Sequence, residues 1–207
     1  MSLIQKISKK SLDTIDNLRS NIDITGSILQ ATKKIRRNNQ KIKEKYDLEF
    51  DVCCNEHTFK FLNGETESDN NYSKASFKVE GYIYKARTLE NYGADNGIKT
   101  DGDPEFPSLL IGKWTNKGWY LNKGRQTKTG AYIDSTHTYD LTNGNSLKKV
   151  LTSNGKELID MFTPFNRILT SGQGAFSRVR GGNVIQTTVG KNNTLNYNYT
   201  FKFSFRT

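Results

Sequence analysis

The sequence predicts a mainly β protein, an antiparallel meander of about eight strands preceded by an N-terminal helical arm. From about Asp47 onward, apolar and polar residues alternate with a period of two, the side-chain period of a β-strand. Gly is frequent (17) and Pro is scarce (3), which suits tight turns between paired strands. Before Asp47, apolar residues recur at helical spacing instead. We therefore divide the chain into an arm, 1–46, and a β domain, 47–207.

The arm has a narrow apolar stripe. Ile15, Leu18 and Ile22 are three and four residues apart, and an isoleucine recurs every seven residues from Ile28 to Ile42. This spacing is typical of an amphipathic helix. Because short helices with a narrow stripe are marginal alone, we expect the arm to pack on the β domain or on a second copy of itself.

The arm also carries most of the charge imbalance. The chain has a formal net charge of +10, and residues 1–48 hold eleven Lys and Arg against five Asp and Glu. We expect a weak contact with an anionic surface through these basic residues: Lys33, Lys34, Arg36, Arg37, Lys41 and Lys43. The alternative, which we favour, is a solvated helix face covering one end of the β domain.

The β domain shows its clearest alternation in two segments. Between 195 and 206, Leu, Tyr and Phe occupy every second position, and between 133 and 141 a similar set includes Ile, His and Tyr. Further strands are predicted at 48–54, 57–62, 76–86, 109–121, 156–162, 166–170 and 183–189.

Turn residues separate these segments: Asn63-Gly64, Asn96-Gly97, Asp101-Gly102-Asp103-Pro104, Asn143-Gly144, Asn154-Gly155 and Gly181-Gly182. No helical pattern lies between the strands, so an antiparallel meander is predicted. Closing the meander into a barrel removes its two edges, whereas a sandwich fits the periodicity almost as well.

Composition excludes several classes of site. The two cysteines, Cys53 and Cys54, are neighbours and so cannot form a disulfide framework, and two histidines do not support a multi-histidine metal site. No nucleophile elbow, phosphate loop or dinucleotide fingerprint occurs. We expect neither metal nor cofactor. With neither a secretory apolar run nor a span of ~20 apolar residues, we predict a cytoplasmic protein.

A glycine-rich turn in the C-terminal part carries a family resemblance. Ser171–Gly174 reads SGQG, followed by Phe176 and Gly181, and it lies between a strand and a final aromatic-rich strand. This order resembles the allene oxide cyclase-like and dirigent barrels, in which the turn reads GGTG. Three upstream blocks also resemble bacterial and fungal members: FKVEGYIYKARTL, DGDPEFPSLLIGKWTNKGWYL and TGAYIDSTHTYDL. The resemblance covers roughly 76–206 and implies a closed up-and-down barrel rather than a sandwich.

The resemblance also implies a function. Enzymes of this superfamily bind a reactive, mostly apolar molecule inside the barrel and fold it for ring closure, without a cofactor. Relatives are commonly oligomers, so a homo-oligomer is expected. We therefore predict an isomerase or cyclase of biosynthesis. Two alternatives stay open: a barrel that holds a lipophilic ligand without converting it, and an interaction protein that docks through the basic arm.

Two residues are candidates for acid–base chemistry. His137 shares the apolar face of its strand with Ile133 and Tyr139, where a modest pKa shift would suit a general acid or base. The alternative is a core histidine satisfied by backbone or tyrosine. Glu80 occupies a place similar to the family's early-strand carboxylate, and the alternative is a surface glutamate paired with Lys78.

Aromatic and amide side chains are predicted to bind the substrate. Trp114 and Trp119 are five residues apart in one strand, so they lie on opposite faces and one points out of the barrel. Asn116 and Tyr120 share the face of Trp114, which offers a polar atom among aromatic rings. The predicted substrate-binding residues are Trp114, Asn116, Tyr120, Tyr139, Tyr197 and Tyr199.

Overall fold

The computed structural model describes residues 46–62, 75–121, 132–158 and 164–207. Eight antiparallel strands follow one another in chain order, and the last pairs with the first, so the sheet is a closed barrel. This confirms the predicted fold class and the barrel that the resemblance implied. The helical arm and its basic residues fall outside the described residues, so the predictions made for them stay predictions.

The strands are β1 (Leu48–Phe61), β2 (Ser76–Lys85), β3 (Leu110–Tyr120), β4 (Tyr132–Asp140), β5 (Lys149–Leu158), β6 (Phe165–Gly174), β7 (Gly181–Lys191) and β8 (Tyr197–Arg206). Between β2 and β3 lie a short helix, α1 (Thr88–Tyr92), and a 3-10 turn, Pro107–Leu109. Within the described ranges, no helix is long and apolar enough to cross a membrane.

The alternation along each strand sorts side chains between the interior and the outside. In β8, Tyr197, Tyr199, Phe201 and Phe203 face the interior and are at most 8% exposed. Phe201 and Phe203 pack against Phe50 of β1, with ring centroids 6.1 and 4.9 Å apart. One part of the interior is therefore filled by aromatic rings, which supply large buried apolar area.

The barrel closes between β1 and β8. The pairing runs from Leu48 opposite Phe203 to Cys53 opposite Asn198 in an unbroken antiparallel register. This pairing satisfies the backbone groups that a flat meander would leave open at its two edges.

A segment that we call the strap (86–106) covers the outside of β1 and β8. Asn198, fully buried on the outer face of β8, donates from its side-chain amide to two strap carbonyls, at 2.7 and 2.8 Å. Asp51 accepts a hydrogen bond from the strap amide of Leu89 at 2.9 Å. The Tyr84 hydroxyl donates to the carbonyl of Gly97. Residues 50–55 of β1 are therefore buried on both faces of the sheet.

Several of the predicted boundaries are wrong. The strand predicted at 156–162 begins at Lys149, and Gly181-Gly182, predicted as a turn, opens β7. The predicted strands 48–54 and 57–62 form the single strand β1, with an irregularity in its pairing between Asn55 and Lys60. Asn154-Gly155, predicted as a turn, lies inside β5. A Cβ at Gly155 would lie 3.1 Å from the Arg167 side chain, so this glycine makes room for a neighbouring arginine instead of turning the chain.

The glycine-rich segment ends β6 and starts the turn that follows. Gly174 has a φ of 64°, which disfavours other residues. Gly172 has a different role, because a Cβ there would lie 2.2 Å from the carbonyl oxygen of Phe176. Phe176 folds back against the core, with its ring 5.9 Å from that of Phe205.

Candidate functional site

A cluster of polar side chains interrupts the aromatic interior. Its members lie on the inner faces of four consecutive strands, β4 to β7, and all are buried: Ser135, His137, Ser153, Glu157, Arg167 and Gln186. Each is in phase with an apolar inward residue of its own strand, such as Ile133 in β4 and Leu169 in β6. Strand alternation therefore forces these polar groups inward. We call them the inner polar cluster.

A buried ion pair organises the cluster. Arg167 Nη1 lies 3.2 Å from Glu157 Oε1, and the same carboxylate accepts hydrogen bonds from Ser135 Oγ at 2.9 Å and from Gln186 Nε2. Arg167 also donates to the Ser135 carbonyl at 2.8 Å and to Ser153 Oγ at 3.2 Å. Both charges thus have several partners, which a buried ion pair requires because its desolvation is costly.

Glu157 stays ionised in this setting. Burial alone would raise its pKa, but the contact with His137, the charge of Arg167 and the bond from Ser135 outweigh burial and lower the pKa to about 2. The carboxylate is therefore charged at neutral pH. Its oxygens already accept three hydrogen bonds, so Glu157 supplies a fixed negative charge and is poorly placed to accept a proton from a substrate.

His137 is neutral at the same pH. Burial and the nearby charge of Arg167 lower its pKa to about 4, against the opposing effect of Glu157. Its Nε2 lies 3.3 Å from Glu157 Oε1 but without the alignment of a hydrogen bond. At neutral pH, His137 is thus a hydrogen-bonding group and not a source of positive charge.

The surroundings of His137 indicate which of its ring nitrogens carries the proton. Arg167 Nε can only donate, so Ser153 Oγ accepts from it and can donate its own hydrogen to the Tyr139 hydroxyl, 2.9 Å away. His137 Nε2 lies 3.3 Å from the Glu157 carboxylate, which would repel a lone pair there, so the proton is on Nε2. Nδ1 is then an acceptor, and the Tyr139 hydroxyl can donate to it at 3.3 Å.

Three buried polar atoms in the described part of the chain lack a hydrogen-bond partner: Trp114 Nε1, Asn116 Oδ1 and His137 Nε2. They belong to neighbouring inward positions of β3 and β4. Asn116 is the register partner of His137, and the Trp114 ring meets the His137 ring edge to face with centroids 4.9 Å apart. Leaving such groups unpaired costs about 1–3 kcal/mol each. Three together mark this place as a candidate binding site.

The predicted substrate-binding residues all face the interior. Tyr139 is fully buried, Tyr197 and Tyr199 are each 8% exposed, and Tyr120 packs against the same core at the C-terminal end of β3. Trp114 and Tyr199 lie with ring centroids 6.0 Å apart. The structure therefore brings Trp114, Asn116 and Tyr139 next to His137, and the role of all six residues in binding stays a prediction.

Glu80 lies elsewhere. Its side chain is on the outer face of β2, 45% exposed and paired with Lys78, which also lowers its pKa. Glu80 therefore does not share the interior with His137. It is a surface glutamate paired with Lys78, which was the alternative that the sequence left open. Trp119 is also on the outside and 45% exposed, so it is the outward tryptophan of the pair.

Sequence reasoning missed the ion pair and its partners. Glu157 and Arg167 lie in strands where charged residues normally face water, and nothing local to either residue signals burial. The available signal was phase, since Arg167 is two residues before Leu169 and Gln186 is two residues after Val184. Assigning every residue of a strand to the inner or the outer face, starting from its apolar residues, would have placed Arg167 and Gln186 inside the barrel.

The structure also has a pocket of about 400 Å³ on the outside of the barrel, bordered by the strap, β1, β7 and β8. Charged groups of both signs line it, including Asp51, Arg87 and Lys202, together with Leu89 and Thr187. It shares no residue with the inner polar cluster. Among the described residues, no group of three His, Cys, Asp or Glu is placed to hold a metal.

The comparisons with known proteins support the fold. The sequence matches no protein-family model, and no curated protein matches it. The structure is similar to that of the pterocarpan synthase dirigent protein PsPTS1, with a TM-score of 0.51 and 17% identity over 77% of this chain and 94% of that one. The pterocarpan synthase dirigent protein GePTS1 gives 0.50 and 13% over 75% and 80%. The fold is thus a dirigent-like barrel.

Proposed function

We propose that this protein is a cyclase or isomerase that binds an apolar small molecule inside the barrel and orients it for intramolecular ring closure. The observation that carries the proposal is the set of unpaired polar atoms on Trp114, Asn116 and His137, placed within an aromatic interior. The dirigent-like fold, found in proteins named as pterocarpan synthases, supports it by analogy. We also propose that the protein is related to the allene oxide cyclase-like barrels, as its sequence resemblance implies.

Orientation is the main contribution that this site offers. Holding a flexible molecule in one reactive conformation removes several kcal/mol of entropic cost from ring closure. The rings of Trp114, Tyr139 and Tyr199 would pack against the apolar part of the substrate. His137, neutral and protonated on Nε2, would donate a hydrogen bond to an oxygen of the substrate and would not act as a base.

A second candidate function is a carrier or buffer of a lipophilic ligand. The observation that favours it is the saturated state of Glu157, whose carboxylate accepts three hydrogen bonds and has its pKa lowered to about 2. A general base needs a pKa near the working pH. Neither Glu157 nor His137 has one, so the inner polar cluster suits recognition of a ligand at least as well as proton transfer.

Extraction of the natural guest tests the proposal. The protein is purified from its native source, extracted with organic solvent and analysed by mass spectrometry. We expect one enriched apolar compound, depleted in His137→Leu. Glu80→Gln, on the outer face, and Thr187→Trp, which fills the outer pocket, are matched controls that should retain it. A compound lost in Thr187→Trp and kept in His137→Leu would overturn the interior site.

The same compound separates catalysis from carriage. A ring closure that is an isomerisation rearranges bonds without loss of atoms, so the product has unchanged mass and altered retention time, whereas a ring closure that expels water lowers the mass by one water molecule. A carrier returns the compound unaltered. We expect conversion by the unmodified protein and by Glu80→Gln, at a rate reduced in His137→Leu.

Other expectations from the sequence remain proposals. These are a homo-oligomer, a cytoplasmic location, and a weak contact of the basic arm with anionic surfaces. None of them depends on the interior site, so each can fail without affecting it.

A further inference from the structure

We propose that Trp114, Asn116 and His137 together recognise a single hydroxyl group of the guest. The inference rests on the proposed function, because it names the chemistry that the interior site selects. It starts from the hydrogen-bonding capacity of three atoms that the fold leaves unpaired.

The three atoms have a definite complement. Trp114 Nε1 is a donor, His137 Nε2 is a donor in the tautomer that the nearby Glu157 carboxylate favours, and Asn116 Oδ1 is an acceptor. A hydroxyl oxygen accepts two hydrogen bonds and donates one, so it satisfies two donors and one acceptor at once. A carbonyl oxygen satisfies the two donors but has no hydrogen for Asn116. A hydrocarbon satisfies none of them.

The positions of the three residues suit one common partner. Asn116 and His137 are directly opposite each other in the β3–β4 register, and Trp114 is two residues before Asn116 on the same inner face. The Trp114 and His137 rings are in contact. Because the three side chains emerge from adjacent inward positions, one guest group placed between them can reach all three.

The surrounding charges keep this arrangement fixed. The Glu157–Arg167 pair lies behind His137, and the Glu157 carboxylate favours the imidazole tautomer with the proton on Nε2. Glu157 and Arg167 are therefore positioning residues, whereas Trp114, Asn116 and His137 would touch the guest. The three atoms are shielded from solvent, so a ring of the cluster must shift as the hydroxyl enters.

Three ligands of one skeleton test the proposal: cyclooctanol, cyclooctanone and cyclooctane. Binding is measured by calorimetry with the full chain. We expect cyclooctanol to bind about a hundredfold more tightly than cyclooctane, because three net hydrogen bonds contribute roughly 3 kcal/mol and 1.4 kcal/mol is a factor of ten. Cyclooctanone should fall between the two, since its oxygen faces Asn116 Oδ1 without a hydrogen to donate.

Asn116→Leu gives the sharpest variant, because it removes the acceptor and keeps similar volume. We expect it to abolish the preference for cyclooctanol over cyclooctanone, while Trp114→Phe weakens both relative to cyclooctane. Glu80→Gln should leave all three affinities unchanged. Loss of binding through unfolding would lower all three affinities alike, and a thermal melt identifies it.

The outcomes separate the inference from the function on which it rests. Equal affinities for the three ligands would overturn recognition of a hydroxyl and leave an interior ligand site standing. A preference for cyclooctanol that survives in Asn116→Leu would overturn the role of Asn116. Binding of none of the three would overturn both the inference and the proposed interior site.

Discussion

At the residue scale, the most consequential feature is the ion pair between Glu157 and Arg167, which is buried in the barrel interior and shielded from water. Glu157 and Arg167 are both buried on adjacent strands, and their mutual bond is supported by Ser135, Ser153 and Gln186. Such a pair contributes little net stability compared with apolar residues, but losing one partner is costly. A variant that removes only one of the two charges should therefore lose a measurable amount of stability.

Glu157→Gln should destabilise the protein by about 3–5 kcal/mol, because it leaves the Arg167 charge buried without a counterion. The free energy of unfolding in urea measures the change. The double variant Glu157→Gln/Arg167→Met is the control, and it should lose less stability than the two single changes added together. A loss below about 1 kcal/mol in Glu157→Gln would show that the pair does not hold the interior together.

His137 should make stability depend on pH. Its pKa is lowered from 6.5 to about 4 in the folded state, so between these values the unfolded chain binds more protons. Stability contributed by neutral His137 is therefore complete above pH 6.5 and is lost as the pH falls toward 4, by roughly 3 kcal/mol at most. Urea unfolding at several pH values measures this slope, and His137→Leu should remove it. An identical slope in both proteins would contradict the buried neutral imidazole.

At the element scale, the strap shows how polar side chains fix an irregular segment. Asn198 lies in β8 but points outward, where an alternating strand normally meets water. Here it meets two backbone carbonyls of the strap. A segment of about twenty residues without extended secondary structure is stable in this position because its backbone groups find buried partners.

Asn198→Ala should loosen the strap without opening the barrel. Two strap carbonyls lose their donor, at about 1–3 kcal/mol each, so the strap should open locally more often. Hydrogen exchange of the Leu89 amide, which is bonded to Asp51, should accelerate, while β4 amides keep their protection. Asn154→Ala, exposed on the outside of β5, is the control. Unchanged exchange at Leu89 would show that Asn198 does not hold the strap.

At the scale of the whole molecule, strand alternation made most of the fold predictable. It placed His137, Trp114 and Tyr199 inside and put one of the two tryptophans outside, because a period of two fixes the face of every residue once one is known. Closure was not predictable from periodicity, since a sandwich has the same alternation. The resemblance supplied it, and the β1–β8 register confirms it.

Two features of the site depended on contacts that no local pattern reveals. Asn154-Gly155 has the composition of a hairpin turn, yet it continues β5 because Arg167 of the next strand packs over the glycine. Glu157 is buried because its position in β5 points inward, and Arg167 of the next strand supplies the counterion that it needs there. The residue that lies across the sheet is set by register and not by sequence neighbours.

The central claim is that the barrel interior receives a guest at Trp114. The chain has two tryptophans, so Trp119→Phe leaves Trp114 as the sole tryptophan and Trp114→Phe leaves the outward Trp119. Fluorescence of each variant is titrated with tribromoethanol, a heavy-atom quencher that carries a hydroxyl. Trp114 is 1% exposed and cannot be reached by collision from solvent. We predict saturable quenching of Trp114 and linear quenching of Trp119. Trp114 emission that stays unquenched at every concentration would contradict the account.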